Sequence, residues 1–331
     1  MAVFCPSPDS FFVEEIPAYR PSGEGEHLYL WIEKKGLGTP EAVRRVARTL
    51  GVSERDVGYA GLKDRHATTR QYLSLPGKNP EEGLAAGCEG VVVLEAERHG
   101  NKLRLGHLRG NRFEVVLFEA GAGEKENLAA RLSQLAREGL PNRFGHQRFG
   151  ADADNVATAL AILRGTRKER DRRKRQFFLS ALQSAVFNRV LDLRQESGGL
   201  LRIRQGDILQ KRQSGGLFAS EDPALEAERV AAGEIVPTGP MPGNREREPA
   251  PGTEARALED RALAELGVTR EELATWGRFL PGARRPVTVP VELGDPPAAD
   301  EAGSVRLRFS LGPGSYATVL LEALGVTTQR A

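Results

Sequence analysis

The chain has 331 residues, of which 40% are hydrophobic and 28% charged, and its 47 Lys and Arg nearly balance its 45 Asp and Glu. These proportions are typical of folded domains and exclude a disordered or fibrous chain. No stretch approaches the roughly 18 to 20 apolar residues of a membrane-spanning helix, and residues 1–9 lack the layout of a signal peptide. We therefore expect a cytoplasmic protein of one large or two ordinary domains, with no membrane partner.

Side chains that commonly bind metals are sparse and scattered. The two cysteines, Cys5 and Cys88, are too far apart in sequence for a zinc motif and too few for a disulfide framework. The five histidines include no i, i+4 pair that would converge on a metal. We expect reduced thiols, no metal and no cofactor.

Short β-branched and aromatic runs alternate with helical patterns in the first part of the chain. Pro at a first helical position follows Thr39, the predicted N-cap, and apolar residues then recur at helical spacing to Leu50. A second apolar stripe runs from Leu128 to Ala136 and ends at Gly139, a typical C-cap. Strands are predicted over 28–32, 71–75, 91–94 and 113–118.

The middle of the chain has a different pattern. After Gly150, apolar residues recur at helical spacing over 156–163 and 178–193. Pro and Gly accumulate in 237–252, which predicts a long loop rather than a helix or a central strand.

Strand character returns near the end of the chain. It covers 286–293 and 304–310, and a last helix is predicted to follow Ser315 as its N-cap. Because a helical middle separates two strand-rich ends, we expect an α+β fold in which the terminal strands complete the first domain's sheet around an insertion.

The small net charge of +2 conceals a local basic block. Residues 164–175 include eight basic and two acidic residues, among them the consecutive Arg172, Arg173 and Lys174. Residues 98–112 form a second basic run without a carboxylate. A polyanion could bind such blocks, whereas a solvated helix face is the ordinary interpretation of a single run.

The segment Gly58–Gln71 is the densest concentration of reactive side chains. In it, Asp64 lies between Lys63 and Arg65 on a predicted loop. Nearby cations keep a carboxylate ionised, which suits it to act as a nucleophile or base. We therefore expect a charged, water-excluded carboxylate at the floor of a pocket. The competing interpretation is a surface ion pair among these three residues.

Aromatic and amide side chains are interleaved in residues 141–150, which include Asn142 and Phe144. A ring can stack on a nucleobase turned out of its helix, and an amide can bond the polar edge of that base. The alternative is a tight turn whose Phe144 and Phe149 fill the core. A third segment, 312–318, presents Tyr316 at the start of the last helix.

Four motifs together resemble the TruD-type tRNA pseudouridine synthases. The resemblance runs over about residues 8–324, and it implies an α+β catalytic domain with an antiparallel sheet over 1–167 and 288–331. A helix-rich α+β domain of the family would be inserted over 168–287. In family order the motifs are Gly61-Leu62-Lys63-Asp64-Arg65-His66-Ala67, Asn142-x-Phe144-Gly145-x-Gln147-Arg148-Phe149-Gly150, Phe178-x-Ser180-Ala181 with Phe187-Asn188, and Gly314-Ser315-Tyr316-Ala317-Thr318.

The resemblance also implies roles for single residues. Asp64 matches the catalytic aspartate of these enzymes. Phe11, Asn142 and Tyr316 match positions that bind the target uridine, and Phe144 matches an aromatic residue beside it. Supporting residues and RNA contacts are expected at Lys63, Arg65, Gln147, Arg148, Arg172, Arg173 and Lys174.

One position departs from the family pattern. The family's opening motif commonly has a lysine where this chain has Cys5. If that lysine pairs with the catalytic carboxylate, another cation must replace it, and Lys63 and Arg65 are the candidates.

The implied activity is isomerisation of uridine to pseudouridine, at position 13 of certain tRNAs, by a monomer that binds tRNA and not DNA. The glycosidic bond moves from N1 to C5 of uracil, which requires neither a metal nor a redox cofactor. Two other classes remain open. An RNA-binding folding assistant would form no pseudouridine, and a metal-assisted hydrolase using Asp64, His66 and His146 would be inhibited by chelators.

Overall fold

The computed structural model describes residues 2–121, 123–145, 148–150, 154–300 and 303–329. The chain divides into two compact units. The first unit joins Met1–Leu140 to Pro290–Ala331, and the second is Pro141–Val289.

Each unit contains both helices and strands, which confirms a mixed α+β protein. In chain order the elements are β1 (Val3–Phe4), β2 (Phe11–Pro17), β3 (His27–Lys35), α1 (Thr39–Leu50), β4 (Gly58–Tyr59), β5 (Thr68–Pro76), α2 (Pro80–Leu84), β6 (Val91–His99), β7 (Leu108–Leu117), α3 (Glu124–Glu138), β8 (Leu140–Pro141), α4 (Asp154–Leu163), α5 (Arg172–Glu196), β9 (Ile208–Lys211), β10 (Leu217–Ala219), α6 (Pro223–Ala231), β11 (Ile235–Met241), α7 (Glu254–Glu265), α8 (Arg270–Ala274), β12 (Ala283–Pro286), β13 (Thr288–Val289), β14 (Val291–Leu293), β15 (Ala298–Ala299), β16 (Val305–Leu311), α9 (Ala317–Ala323) and β17 (Thr327–Thr328).

The first unit contains a large sheet. Within the described residues its strands follow the order β14-β16-β7-β2-β5-β3-β6, with β15 paired to β16 and β4 to β5. β2 and β5 run parallel, and the other pairs of this sheet are antiparallel. β16 pairs with β7, so a strand from the end of the chain completes the first unit's sheet as the sequence predicts.

Alternation of side chains gives this sheet a buried face. Leu28, Leu30 and Ile32 alternate along β3 and pack against Val43 and Val46 of α1. Successive side chains of a strand point to opposite faces, so any residue in register with these three also faces the apolar side.

The second unit is organised around the long helix α5. One side of this helix buries Leu179 and Leu182 against Ile162 of α4 and Leu263 of α7. A four-stranded sheet in the order β10-β9-β11-β12 also belongs to this unit. Because α4 shares its core with α5, this compact unit begins at Pro141, earlier than the expected start of an inserted domain at residue 168.

The predicted loop over residues 237–252 is wrong in its first part. Residues 235–241 form β11, which lies between β9 and β12 despite its two prolines. β9 pairs with Ile235–Pro237 and β12 with Thr238–Met241, so neither proline must donate to two neighbours. Gly239 has no side chain, which lets Phe187 of α5 approach the strand.

Two predicted N-caps are also wrong. Gly38 is the N-cap of α1, because the Thr39 hydroxyl bonds to Gln71 instead of capping the helix. Tyr316 is the N-cap of α9, one residue after Ser315. The predicted end of α3 at Gly139 is confirmed.

Candidate active site

Asp64 lies on the loop between β4 and β5. Lys63 and Ala67 of this loop are buried, whereas Asp64, Arg65 and His66 are exposed. Within the described part of the chain, the Asp64 carboxylate has neither a hydrogen-bond nor an ion-pair partner. The structure therefore differs from the expected dry carboxylate at a pocket floor. The reason is that Lys63 and the Asp64 backbone make the loop's inward contacts.

Buried polar side chains fix the path of this loop. The Lys63 backbone N–H donates to the Thr39 hydroxyl at 2.8 Å, and that hydroxyl donates to Gln71 Oε1 at 2.9 Å. Gln71 Nε2 in turn donates to the Gly61 carbonyl, over 3.2 Å. Thr39 and Gln71 are almost completely buried, so the loop is anchored where water does not compete for these bonds.

A buried ion pair lies beneath the same loop. Lys63 Nζ is 3.0 Å from Glu15 Oε2, and both side chains are inaccessible to solvent or nearly so. The other Glu15 oxygen accepts from the Tyr72 backbone N–H. Burial raises the pKa of the Glu15 carboxyl, although Lys63 and the Tyr72 amide oppose that rise. Lys63 thus pairs with Glu15, and the interpretation as a surface ion pair with Asp64 is wrong.

A second buried cation, Lys34 on β3, holds the loop at Asp64. Its ammonium donates to the Asp64 carbonyl at 2.8 Å and to the Leu37 carbonyl. Burial lowers the pKa of Lys34 to about 8; the Asp64 carboxylate opposes this change, and Lys63 adds to it. The carboxylate of Asp64 is therefore near a positive charge that is itself shielded from water.

The structure adds Lys34 to the candidates for the cation that replaces the family lysine. Cys5 bonds Gln329 through its thiol at 3.4 Å, Lys63 is taken up by Glu15, and Arg65 is exposed. Lys34 is the lysine whose ammonium contacts the Asp64 backbone.

Two further predicted residues of the first unit differ sharply in exposure. Phe11 is 6% exposed and packs edge-on against Phe4 at 5.3 Å and parallel to Phe113 at 6.2 Å. Tyr316 is 55% exposed at the start of α9. The ring available to a ligand is therefore Tyr316, whereas Phe11 is part of an aromatic core.

Asn142, in the second unit, uses its side chain within the protein. Its Nδ2 donates to the Pro286 carbonyl at 2.9 Å, and its Oδ1 accepts from the Arg285 guanidinium. Arg285 also donates to the Asn142 carbonyl at 3.2 Å. The amide is buried, and its polar atoms orient Arg285.

Phe144 follows on the same segment and is half-buried. Asn188 of α5 bonds both the N–H and the carbonyl of Phe144, each at 2.9 Å. The ring packs edge-on against Phe187 and lies 4.4 Å from the Arg285 guanidinium carbon. Phe144 therefore belongs partly to the core, as the tight-turn alternative proposes, and partly to a cationic surface.

Arg148 connects two of the sequence motifs. It donates to Ser180 Oγ at 2.8 Å and to Ser184 Oγ at 3.3 Å, and its guanidinium lies 5.6 Å from the Phe177 ring centre. Gln147, the predicted neighbour, lies outside the described residues, as does His146.

The basic block of residues 164–175 extends into the first turn of α5. Arg172, Arg173 and Lys174 are exposed, and none of the three has an ion-pair partner in the described ranges. Asp171 caps the helix and accepts from the N–H groups of Arg173 and Lys174 at 2.7 and 3.1 Å. The three cations therefore remain accessible to a ligand.

A family model described as tRNA pseudouridine synthase D (TruD) matches residues 4–171 and 155–324. Together these ranges span nearly the whole chain. The chain belongs to this family. The resemblance inferred from the motifs is thereby confirmed, and the chain is an isomerase of the class that converts uridine to pseudouridine.

Relatives named tRNA pseudouridine synthase D are similar over almost their full lengths. The protein from Anaeromyxobacter sp. strain Fw109-5 is 44% identical over 96% of this chain and 90% of its own. The protein from Thermus thermophilus is 42% identical over 95% of this chain and 86% of its own. A solved structure from Methanosarcina mazei, titled a putative tRNA pseudouridine synthase D, has a TM-score of 0.80 at 23% identity, covering 96% of this chain and 92% of that one. That last likeness supports the TruD fold.

Neither a metal-binding cluster nor a membrane-spanning helix occurs in the described residues. Within the described ranges, no group of three or more His, Cys, Asp and Glu side chains is placed to hold a metal ion. The same part of the chain includes no helix long and apolar enough to cross a membrane.

Sequence reasoning missed Glu15 and Lys34, although a signal for both is present. Glu15 is in register with Phe11 and Val13 on β2, and Lys34 with Ile32 on β3. A charge that continues an apolar alternation predicts a buried, paired ion. Arg285 carries no such signal, because its partner Asn142 lies 143 residues away.

Proposed function

We propose that this chain isomerises a uridine of tRNA to pseudouridine and that the Asp64 carboxylate is the catalytic group. The observation that carries the proposal is the Asp64 loop. Lys34, Lys63, Thr39 and Gln71 hold its backbone from the buried side, while the carboxylate points outward with no protein partner in the described residues. A carboxylate that is held on a fixed backbone and makes no contact with a protein partner is suited to react with a ligand rather than to stabilise the fold.

The reaction leaves the composition of the substrate unchanged. The bond between ribose C1′ and uracil N1 breaks, a bond between C1′ and C5 forms, and the hydrogen on C5 is lost as N1 gains one. Asp64 takes part either as a nucleophile, at C1′ or at the ring, or as the base that removes a sugar proton. Each route requires an ionised carboxylate with water excluded.

In this proposal the RNA itself removes water from Asp64. The carboxylate is exposed in the free protein, and a base turned out of its stack would cover it. The Lys34 ammonium stays beneath the loop when water leaves.

The uridine contacts follow from the exposure of each ring and amide. We propose that Tyr316 stacks on the base and that Phe11 supports the site through packing. Asn142 acts by orienting Arg285 across Phe144, or binds the uracil directly once it releases Arg285. The target at position 13 of certain tRNAs is adopted from the resemblance.

The RNA backbone is proposed to meet the exposed cations. Arg65 adjoins Asp64, while Arg172, Arg173 and Lys174 begin α5. When Lys or Arg side chains neutralise phosphates, the RNA releases bound counterions. These contacts should therefore make tRNA binding salt-dependent. We further propose that residues 168–287, which include α5, form the inserted domain of the family.

The decisive experiment compares Asp64→Asn with a matched control. Asp56 is another exposed aspartate of the same unit, and Asp56→Asn removes an equal charge away from the loop. Purified proteins are incubated with an unmodified tRNA transcript, and pseudouridines are mapped by position. We expect no pseudouridine from Asp64→Asn, tRNA binding within a few fold of wild type, and full activity from Asp56→Asn. Turnover by Asp64→Ala would remove Asp64 from the mechanism.

A further inference from the structure

A cavity of about 410 Å³ opens in the first unit where β2 and β5 separate. Their parallel pairing covers Phe12–Glu14 and Thr68–Arg70. Directly beyond it, Glu15 occupies the gap between the strands and bonds the Tyr72 N–H and Lys63. The Glu15–Lys63 ion pair thus connects the lining of the cavity to the Asp64 loop. It is lined by Glu14, Glu15, Ile16, Pro17, Ala18, Tyr19, Arg20, Trp31, Tyr72, Glu95, Arg109 and Arg112.

Aromatic rings form one side of this cavity. The rings of Trp31 and Tyr72 lie 4.6 Å apart at 50° to one another. Trp31 is only partly buried, although it lies in the interior of β3. A partly exposed indole on a rigid strand is a stacking surface for a flat ligand, and any nucleobase offers a matching face.

The charges around the cavity favour a phosphate-bearing ligand. Glu14 is neutralised by Arg112 at 2.7 Å and Glu15 by Lys63 at 3.0 Å. Arg20 and Arg109 are exposed and have no ion-pair partner in the described ranges.

The remaining carboxylate, Glu95, is directly opposite Trp31 in the strand register. It can accept from the amino group of a base. The lining therefore combines a ring surface, two available cations and one hydrogen-bond acceptor.

We propose that this cavity binds an unpaired base of the substrate RNA other than the target uridine. The base stacks on Trp31, and Arg20 and Arg109 contact the adjoining phosphates. This inference rests on the proposed function, because it concerns the same RNA. It assigns a second nucleotide site to the unit that contains Asp64.

The two tryptophans of the chain make the test direct. Trp276→Phe leaves Trp31 as the single indole, and Asp64→Asn stops turnover during the measurement. The probes are an unmodified tRNA transcript and a short unstructured RNA. A stacked base quenches indole emission, so we expect Trp31 emission to fall at least twofold at saturating RNA. In the otherwise wild-type chain, Trp31→Ala should weaken RNA binding by about fivefold to a hundredfold.

Three controls separate stacking from misfolding and from loss of activity. Trp31→Phe keeps a ring and should restore binding to within a few fold of wild type, and thermal unfolding checks that each variant folds. In the Trp31→Phe chain, emission from Trp276 should not change with RNA.

The result that overturns the site is tight RNA binding with unchanged Trp31 emission and no loss in Trp31→Ala. Pseudouridine formation is measured separately with Asp64 intact. Quenching without pseudouridine therefore rejects the proposed function alone, and pseudouridine with neither quenching nor a binding loss in Trp31→Ala rejects the base site alone.

Discussion

Lys34 shows how one buried charge can order a reactive loop. Its ammonium is fully buried and bonds the carbonyls of Leu37 and Asp64. Charge-assisted hydrogen bonds in a buried setting are stronger than neutral ones. We therefore propose that Lys34 positions Asp64 for the reaction, although its own charge is desolvated.

We expect Lys34→Met to lower kcat at least tenfold, because two charged hydrogen bonds to the loop backbone are lost and each contributes about 1.5 to 3 kcal/mol. Lys35→Met is the matched control, since Lys35 is the next residue, is exposed and pairs with the surface residue Asp9 at 2.6 Å. Steady-state kinetics on a tRNA transcript measure the effect. Equal activities for the two variants would contradict the positioning role.

The same residue predicts a pH dependence of stability. The pKa of Lys34 is lowered to about 8 in the folded chain from 10.5. Between these pH values the unfolded chain binds more protons than the folded chain does. The contribution of Lys34 to the free energy of unfolding therefore increases as the pH rises. The free energy of unfolding of wild type should therefore rise, relative to that of Lys34→Met, by up to about 3 kcal/mol between pH 8 and 10.5. Denaturant unfolding at both pH values tests this, and a constant difference would contradict it.

At the scale of elements, β11 depends on its partners. A strand with two prolines and a glycine has weak intrinsic preference, yet β9 and β12 supply pairing on successive halves. Gly239 completes the fit, since a Cβ there would be 2.9 Å from two ring carbons of Phe187. The contact couples the sheet to α5, whose Asn188 holds Phe144.

Gly239→Ala should therefore lower the free energy of unfolding by about 1 to 3 kcal/mol through overpacking against Phe187. Gly216→Ala serves as the control in the same unit, because its nearest neighbour is the Ser214 hydroxyl at 3.4 Å. Urea denaturation compares the two. A loss no larger than that of the control would show that the Phe187 ring moves freely.

At the scale of the whole molecule, a nearly neutral chain carries separated charge. The net charge is +2, while four consecutive basic residues, Arg172 to Arg175, begin α5. Basic side chains are unfavourable at a helix N-terminus, where the macrodipole favours anions. We therefore propose that these cations bind a ligand rather than stabilise the helix.

Reversing Arg172, Arg173 and Lys174 to Glu should weaken tRNA binding and reduce its salt dependence. The same changes place negative charge at the start of α5, where the helix dipole favours it. The free energy of unfolding of the variant should therefore be at least that of wild type. The control is charge reversal at the exposed Arg137 and Lys125 of α3. Titrations at several salt concentrations give the slopes, and an unchanged slope would locate the RNA elsewhere.

Local signals in the sequence determined much of this protein. Short β-branched and aromatic runs predicted β3, β5, β6 and β7, alternation predicted β16, the stripe ending at Gly139 predicted α3, and motifs such as Gly61–Ala67 indicated the family. These features were predictable because periodicity, capping and contiguous motifs depend on neighbours along the chain.

Only the tertiary structure decided what surrounds Asp64. Glu15 and Lys63 are 48 residues apart, and Thr39 and Gln71 are 32 apart. Which strand β11 pairs with, and which hydroxyl bonds instead of capping, are likewise settled by distant partners. Burial makes an unpaired polar group costly, so most buried polar groups bond to whichever partner the fold brings within reach.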